Sequence, residues 1–315
     1  MRRPGGLVPV NEDQDFLDDF NMKYPPPKHI IKREEVGGLD EIIEKLETFK
    51  RAIEFPQLYE FYGVLTPKGF MLSGPPGYGK TYIAKYLAKD LGARFMDIPL
   101  SKYEDKYVGE SSRKLTEIIT DARAYFYIMQ KPVLIFFDEA EEAFKDRRLE
   151  GWHGPRVNVL LREMDGLTES NDGLFFGGAT NHLERVDPAL MRPGRMDYHL
   201  EIKEYSEYGL ADVVRATTLR YNRQAKHTDP FFIADIEHYK LGKFAKQKEL
   251  TPAHINEAFR RSADAKIKEL IEYKQDKIYW KDFNIYSEDV MFHLKAMCSG
   301  NVQRLERRPI GFILK

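Results

Sequence analysis

The run GPPGYGKT, residues 74–81, decides the fold that this chain is expected to adopt. It fits the pattern GxxxxGK[ST], in which a glycine-rich loop turns its backbone N–H groups toward phosphate oxygens. An apolar stretch at 69–73 precedes the run and an amphipathic stretch at 82–88 follows it, which predicts a strand, a loop and a helix in that order. The residues expected to contact a nucleotide follow one another without a break: Gly74, Pro75, Pro76, Gly77, Tyr78, Gly79, Lys80, Thr81 and Tyr82.

Two side chains of this run have separate predicted tasks. Lys80 is expected to reach the outer phosphates of a nucleoside triphosphate, and the Thr81 hydroxyl is expected to ligate Mg²⁺. The helix that begins at Lys80 would add the positive end of its dipole. The alternative is a loop of glycine and proline that binds nothing, but such a loop needs neither a strand before it nor a helix after it.

A second chemical feature ends the apolar run Val133–Phe137. The run is typical of a strand buried on both faces of a parallel sheet, and two carboxylates, Asp138 and Glu139, follow it directly. Ligands of open α/β folds bind at this end of the strands. We therefore expect Asp138 to hold Mg²⁺ and Glu139 to act as the general base that polarises an attacking water. A solvated strand end is the alternative interpretation.

Strand and helix patterns alternate through the middle of the chain. They predict an α/β fold, with a P-loop NTPase parallel sheet flanked by helices and followed by a small helical lid domain. Predicted strands occupy 69–73, 93–98, 133–137, 174–179 and 198–202. A long amphipathic helix near 252–274 has a predicted core face of Ile255, Phe259, Ala263, Ile267 and Leu270. The expected divisions are an N-terminal tail at 1–35, a nucleotide-binding domain at 36–204, a helical domain at 205–299 and a C-terminal tail at 300–315.

Composition restricts the class of protein. The 315 residues are 31% charged with a net charge of −1, so no global basic field favours nucleic acid as a partner. The single cysteine, Cys298, excludes an intramolecular disulfide and fits a reducing compartment. No apolar run approaches the roughly 18 residues of a membrane span, and no apolar segment follows Arg2 and Arg3 as it would in a secretory signal. A cytoplasmic protein is the expectation.

The N-terminal segment is distinct in composition. Residues 11–20 hold five acidic residues and no basic one, and three consecutive prolines at 25–27 stiffen the chain beyond them. Two interpretations remain open. The segment is either a disordered tail or a docking segment for a neighbouring subunit or an adaptor.

Three further runs resemble a known family. They are Val36–Asp40, Gly177–Asn181 and the stretch DPALMRPGRMD at 187–197. Together with the phosphate loop they are similar to the AAA-family ATPases over roughly residues 36–265. The resemblance implies hydrolysis of ATP to ADP and phosphate. It also implies adenine contacts from Val36 and Gly37, a polar sensor at Asn181 that positions the attacking water, and a small residue near the nucleotide at Ala253.

The resemblance gives two arginines a role that they would not have alone. Arg192 matches the position from which family members reach the nucleotide of an adjacent subunit, and Arg195 nearby is the second candidate for this catalytic role. An arginine delivered to the transferred phosphoryl group is worth about 10³- to 10⁵-fold in rate. Such an arrangement implies a homo-oligomer, usually a hexameric ring in the family, built from head-to-tail contacts that close. Surface residues of a turn around Pro193 and Gly194 are the alternative.

The run 106–111 resembles the first pore loop of the family. In that position an aromatic residue from each subunit projects into the ring channel and contacts a polypeptide. Tyr107 is the candidate, with Lys106 and Val108 beside it, because an aromatic face contacts many kinds of side chain. The alternative is a tyrosine that packs under its own helix.

Three functions are therefore weighed. The first is an ATP-driven ring that unfolds, threads or remodels protein substrates. The alternatives are a motor or loader acting on nucleic acid, and an ATP-gated scaffold. Within the family, the front half of the chain resembles the proteasomal ATPases, and the second homology region resembles the Bcs-type translocase ATPases.

Overall fold

The computed structural model describes residues 10–64, 66–99, 110–145, 154–166, 173–225, 236–272 and 284–298. It divides into two compact units. The sheet unit comprises the residues up to Ile31 together with Asp40–Lys203, and the helical unit comprises Lys32–Leu39 together with the residues from Glu204 onward. The expected domain boundary near residue 204 lies within one residue of this division, whereas the entry segment 36–39 groups with the helical unit.

The sheet unit alternates strands and helices along the chain. Its described helices are α1 (Val10–Lys23), α2 (Asp40–Glu54), α3 (Pro56–Phe61), α4 (Lys80–Asp90), α5 (Glu110–Met129), α6 (Ala140–Ala143) and α7 (Gly154–Gly166). Its strands are β1 (Gly69–Ser73), β2 (Arg94–Asp97), β3 (Val133–Phe137), β4 (Leu174–Thr180) and β5 (Tyr198–Glu201). Short 3₁₀ turns follow β4 at Leu183–Arg185 and Pro188–Met191.

The five strands form one parallel sheet in the order β2-β3-β4-β1-β5. Every residue of β1, β3 and β4 is buried, as expected for strands covered on both faces. The predicted fold class and the five strands are confirmed, and the observed ends differ from the predicted ones by one residue or none. Because all strands run in the same direction, β1, β3 and β4 deliver the residues that follow them to one edge of the sheet.

Aromatic packing anchors helix α2 to this sheet. Phe49 is fully buried and lies edge-on to Phe70 at 5.5 Å, to Tyr198 at 5.5 Å and to Phe175 at 6.3 Å. Edge-to-face ring contacts of this kind add to the area that the rings bury. Helix α2 therefore packs, through Phe49, on β1, the strand that leads into the phosphate loop.

The acidic N-terminal segment is ordered over residues 10–31. Phe20 is 2% exposed and stacks on Tyr125 of α5 with ring centroids 4.6 Å apart. Lys23 donates to Glu117 at 2.6 Å and to Asp121 at 2.8 Å, also on α5. Phe20 and Tyr24 are thus buried in the sheet unit, whereas Asp15, Asp18 and Asp19 are exposed.

The helical unit contains α8 (Glu207–Gln224), α9 (His238–Gln247), α10 (Pro252–Glu272) and α11 (Ser287–Cys298). The entry segment packs on α8: Glu35 is 5% exposed and forms an ion pair with Arg223, whose Nε lies 2.7 Å from Oε1 and whose Nη2 donates a hydrogen bond to Oε2 at 2.9 Å. A side chain at Gly37 would lie 2.2 Å from the backbone oxygen of Asp212, so only glycine fits this close approach.

The predicted long helix is α10, which is described as far as Glu272, and residues 273 and 274 of the predicted range lie outside the described residues. Ile255 and Phe259 are fully buried. The prediction that its whole apolar face is core is wrong at Ile267, which is 53% exposed, and Ile271 is 68% exposed. No described helix is long and apolar enough to cross a membrane.

Candidate active site

The phosphate loop begins where β1 ends and finishes at the first residue of α4. Gly74 has a φ of 142°, and a Cβ at this position would lie 2.4 Å from the carbonyl oxygen of Ile202. Gly79 has a φ of 89° and directly precedes the helix. Glycine alone adopts these backbone angles readily. The strand, loop and helix predicted around residues 74–81 are thus present, and the N-terminus of α4 opens onto the loop.

Lys80 lies across the inside of this loop. Its side-chain nitrogen donates to the carbonyl oxygens of Gly74 at 2.7 Å and Pro75 at 2.9 Å, and to Oδ1 of Asn181 at 2.7 Å. An ammonium group has three N–H donors, and all three are used. Burial lowers the pKa of Lys80, and the nearby carboxylates of Asp138 and Glu141 oppose that shift. The hydrogen bond to Oδ1 connects Lys80 to Asn181, the predicted polar sensor.

The two residues predicted to hold a metal ion lie side by side. The Thr81 hydroxyl donates to Oδ2 of Asp138 at 2.6 Å, joining the start of α4 to the end of β3. Among the described residues there is no cluster of three or more histidine, cysteine or acidic side chains that could hold a metal. Mg²⁺ at phosphate sites uses one or two protein oxygens and takes the remainder from phosphates and water. Thr81 and Asp138 fit that donor set.

Glu139 follows Asp138 in a left-handed backbone conformation, with φ of 54° and ψ of 48°. Its backbone N–H donates to Oδ1 of Asp138 at 3.2 Å. The residue is exposed, so its carboxylate can meet a water molecule at the carboxyl edge of the sheet. The role of Glu139 as the general base stays a prediction.

Asn181 follows the last residue of β4. Besides accepting from Lys80, it donates its backbone N–H to Oε1 of Glu141 at 3.2 Å. Glu141 is 4% exposed. The sequence interpretation did not include Glu141. The available signal was weak, because Glu141 and Glu142 are adjacent acids and nothing in the sequence tells which of them is buried.

The two predicted arginines differ in their surroundings. Arg195 donates two hydrogen bonds to the Asp165 carboxylate, both at 2.9 Å, and a third to the Ala189 carbonyl oxygen at 2.7 Å. Arg192 is exposed, and its side chain makes no hydrogen bond or ion pair with any residue that the structure describes. Arg195 is therefore fixed by its own chain, whereas Arg192 is available to a second molecule.

The remaining predicted residues are distributed as follows. Pro75, Pro76 and Gly77 line the exposed side of the loop, with Tyr78 and Tyr82 partly buried next to it. The helical unit holds Val36, Gly37 and Ala253; Val36 is buried and Ala253 is exposed in the first turn of α10. The predicted pore-loop residues lie outside the described residues: Lys106, Tyr107 and Val108.

A parallel sheet, a glycine-rich loop closed by Lys80, and a joined Thr81–Asp138 pair define a P-loop nucleoside triphosphatase. The family model named ATPase family associated with various cellular activities (AAA) matches residues 70–204. Proteasome-activating nucleotidase of Methanothermobacter thermautotrophicus is 31% identical over 301 residues, which cover 87% of this chain and 72% of that protein. The chain therefore belongs to the AAA family of ATPases.

Other relatives come from yeast. The ribosome biogenesis ATPase RIX7 of Saccharomyces cerevisiae is 36% identical over 64% of this chain and 25% of its own length. The 26S proteasome subunit RPT4 of the same organism is 33% identical over 76% of this chain and 58% of its own length. The chain thus spans between a quarter and three fifths of the length of these two proteins.

Proposed function

We propose that this chain is a Mg²⁺-dependent ATPase that acts in a ring and uses hydrolysis to unfold, thread or remodel a protein substrate. The observation that carries the proposal is the convergence of Lys80, Asn181, Thr81 and Asp138 through hydrogen bonds of 2.6–2.7 Å. These residues come from the ends of three neighbouring strands, β1, β3 and β4, and meet at the mouth of the phosphate loop.

The nucleotide would be bound mainly by the loop. Backbone N–H groups of residues 74–79 and the N-terminus of α4 would surround the phosphates, and Lys80 would turn from the loop carbonyls to the outer phosphates. Thr81 and Asp138 would hold Mg²⁺, which supplies neutralisation of phosphate charge when bound. Each of these groups acts through position and charge, which is what phosphoryl transfer requires of a protein.

Hydrolysis needs an oriented water and a base. Glu139 would accept the proton of the attacking water at its carboxylate, and the side-chain amide of Asn181 would orient that water. Asn181 accepts a hydrogen bond from Lys80, so a change in the position of Lys80 upon nucleotide binding would directly affect the position of the water-orienting amide.

The arginines extend the site beyond one chain. Arg192 would reach the nucleotide of the neighbouring subunit and stabilise charge on the transferred phosphoryl group. Arg195 would fix the turn that carries Arg192, through Asp165 and Ala189, rather than meet the phosphates itself. A relative from Corynebacterium urealyticum is named as an AAA ATPase forming ring-shaped complexes, which supports a ring for this chain as well.

We propose that residues 106–108, which precede α5 in the sequence, move the substrate. Tyr107 of each subunit would contact a polypeptide in the ring channel, with Lys106 and Val108 beside it. The relatives named for the proteasome support a protein as the substrate class. The N-terminal segment remains available for an adaptor through the acidic, exposed side of α1.

The proposal is tested by substitution of the base. Glu139→Gln keeps size and polarity but cannot accept a proton, so we expect it to bind ATP·Mg²⁺ without turnover and to retain bound protein substrates for identification by mass spectrometry. Phosphate release is measured beside it for the wild type. A Glu139→Gln variant that hydrolyses ATP at the wild-type rate would contradict the assignment. Stimulation of the wild type by single-stranded DNA or RNA, and by no protein, would favour the nucleic-acid alternative.

A further inference from the structure

Glu141 is a buried carboxylate that the proposed mechanism leaves without a task. It lies in the single turn of α6, is 4% exposed, and accepts one hydrogen bond, from the backbone N–H of Asn181 to Oε1 at 3.2 Å. Its second oxygen, Oε2, is buried and has no hydrogen-bond partner among the described residues. Buried carboxylate oxygens normally have a donor, since an unpartnered one loses its water without compensation.

The adjacent residue shows what an ordinary acidic residue of this turn looks like. Glu142 is half-buried and forms an ion pair with Lys145 three residues later, at 3.1 Å. Such a pair at the surface contributes little to stability and needs no burial. Glu141 differs from Glu142 in that it is enclosed by protein and accepts its one described hydrogen bond from a backbone N–H group. Packing alone would be served equally well by an apolar residue.

The contact partner of Glu141 explains why an apolar residue would not serve. Asn181 joins two groups: its Oδ1 accepts from Lys80 and its backbone N–H donates to Glu141. If Lys80 turns to a triphosphate as proposed above, the first of these bonds would be broken. The bond to Glu141 would still hold the main chain of Asn181 against α6.

We propose that Glu141 is a positioning residue for ATP hydrolysis, which fixes Asn181 through a charge-assisted hydrogen bond from its backbone N–H. The inference rests on the proposed ATPase function. Glu141 does not touch the reacting atoms; it acts through Asn181.

The test begins with Glu141→Gln, which preserves shape and one oxygen for the Asn181 N–H but removes the charge. We expect kcat to fall by about 10- to 100-fold, as for residues that orient a catalytic group from behind it. The melting temperature should stay equal to or above that of the wild type, because a poorly satisfied buried charge is removed. The matched control is Glu142→Gln, which should keep the wild-type kcat.

Two further variants separate positioning from packing. Glu141→Asp keeps the charge but retracts it, and should retain more activity than Glu141→Gln. If Glu141 acts through Asn181, the double variant Glu141→Gln/Asn181→Ala should be no slower than Asn181→Ala alone. Fully multiplicative effects in this cycle, or a wild-type kcat in Glu141→Gln, would overturn the inference.

The wild-type rate separates this inference from the proposed function. A folded wild-type ring without any ATPase activity would overturn both proposals together. An active wild type with an equally active Glu141→Gln would overturn only the assignment of Glu141. A variant that loses stability and activity in parallel would also overturn it, because that result indicates packing.

Discussion

Two regions carry cations that are expected to meet nucleotide phosphates: the phosphate loop, residues 74–81, and the arginine turn, residues 192–195. They differ in how far their own chain fixes the cation. Lys80 is 8% exposed and uses all its donors within its own chain. Arg192 is exposed, and its side chain has no partner among the described residues. The comparison indicates which part of the site one chain completes by itself and which part it offers to another molecule.

Lys80→Ala is expected to have the largest effect on the phosphate loop. The variant removes the three bonds that close the loop and the charge that meets the phosphates, so ATP binding should be lost, as measured by titration with a fluorescent ATP analogue. Lys85→Ala on the same helix is the control, because Lys85 pairs with Asp97 at 3.6 Å and lies over the Phe95 ring, both of which belong to β2. If Lys80→Ala bound ATP with an affinity within a few-fold of the wild-type affinity, Lys80 would not be the cation that holds the phosphates, and the comparison would fail.

Arg192→Ala tests the other region of the comparison, the arginine turn. Binding of ATP should persist while kcat falls by about 10³-fold, because the arginine acts on the transferred phosphoryl group and not on the ground state. Mixing this variant with Lys80→Ala subunits should restore part of the activity, measured as phosphate release over a range of ratios. Arg185→Ala, also exposed, serves as control. Absence of recovery at every ratio would count against action across an interface.

Arg195→Ala tests the difference within the arginine turn. Three hydrogen bonds are lost, two of them to Asp165, so the free energy of unfolding should fall by about 1–2 kcal/mol. Arg192→Ala should change it by less than about 0.5 kcal/mol, as for most exposed side chains. Urea unfolding of both variants provides the measurement. Equal losses would mean that the two arginines are held alike.

The smallest expected effect is the pH dependence of the Arg195–Asp165 pair. The hydrogen bond from Arg195 holds the pKa of Asp165 below its usual value. A carboxyl group with a lowered pKa stabilises the fold above its unfolded pKa of about 4, and that contribution is lost as the pH falls through the folded pKa. The stability difference between wild type and Arg195→Ala should therefore shrink below about pH 4. A difference that stays constant on acidification would show that the charge of Asp165 contributes nothing.

The elements with strong local signals could be predicted from the sequence. Apolar runs such as 133–137 fixed the strands, since a buried parallel strand needs apolar residues on both faces. Thr81 and Asp138 were each expected to hold Mg²⁺, and they lie side by side because parallel strands bring their ends to one edge of a sheet. In both cases the information lies within a few consecutive residues.

The predictions that failed or were not made depend on tertiary contacts. The tether of Arg195 requires Asp165, thirty residues earlier in the chain, and no spacing rule connects the two. The exposure of Ile267 shows the same limit, because an amphipathic pattern indicates which face is apolar but not whether anything covers it. Helix α1 was obscured by its acidic composition, although Phe16 and Phe20 lie four residues apart and so share one face.

The backbone of Glu139 has a consequence for anyone who redesigns this protein. Its φ of 54° is unfavourable for a side chain with a Cβ and costs nothing for glycine. Optimisation for stability alone would therefore favour glycine or asparagine in place of Glu139, and we expect the melting temperature of such a variant to rise. That variant would lack the carboxylate proposed as the base, so this single residue should be excluded from any such redesign.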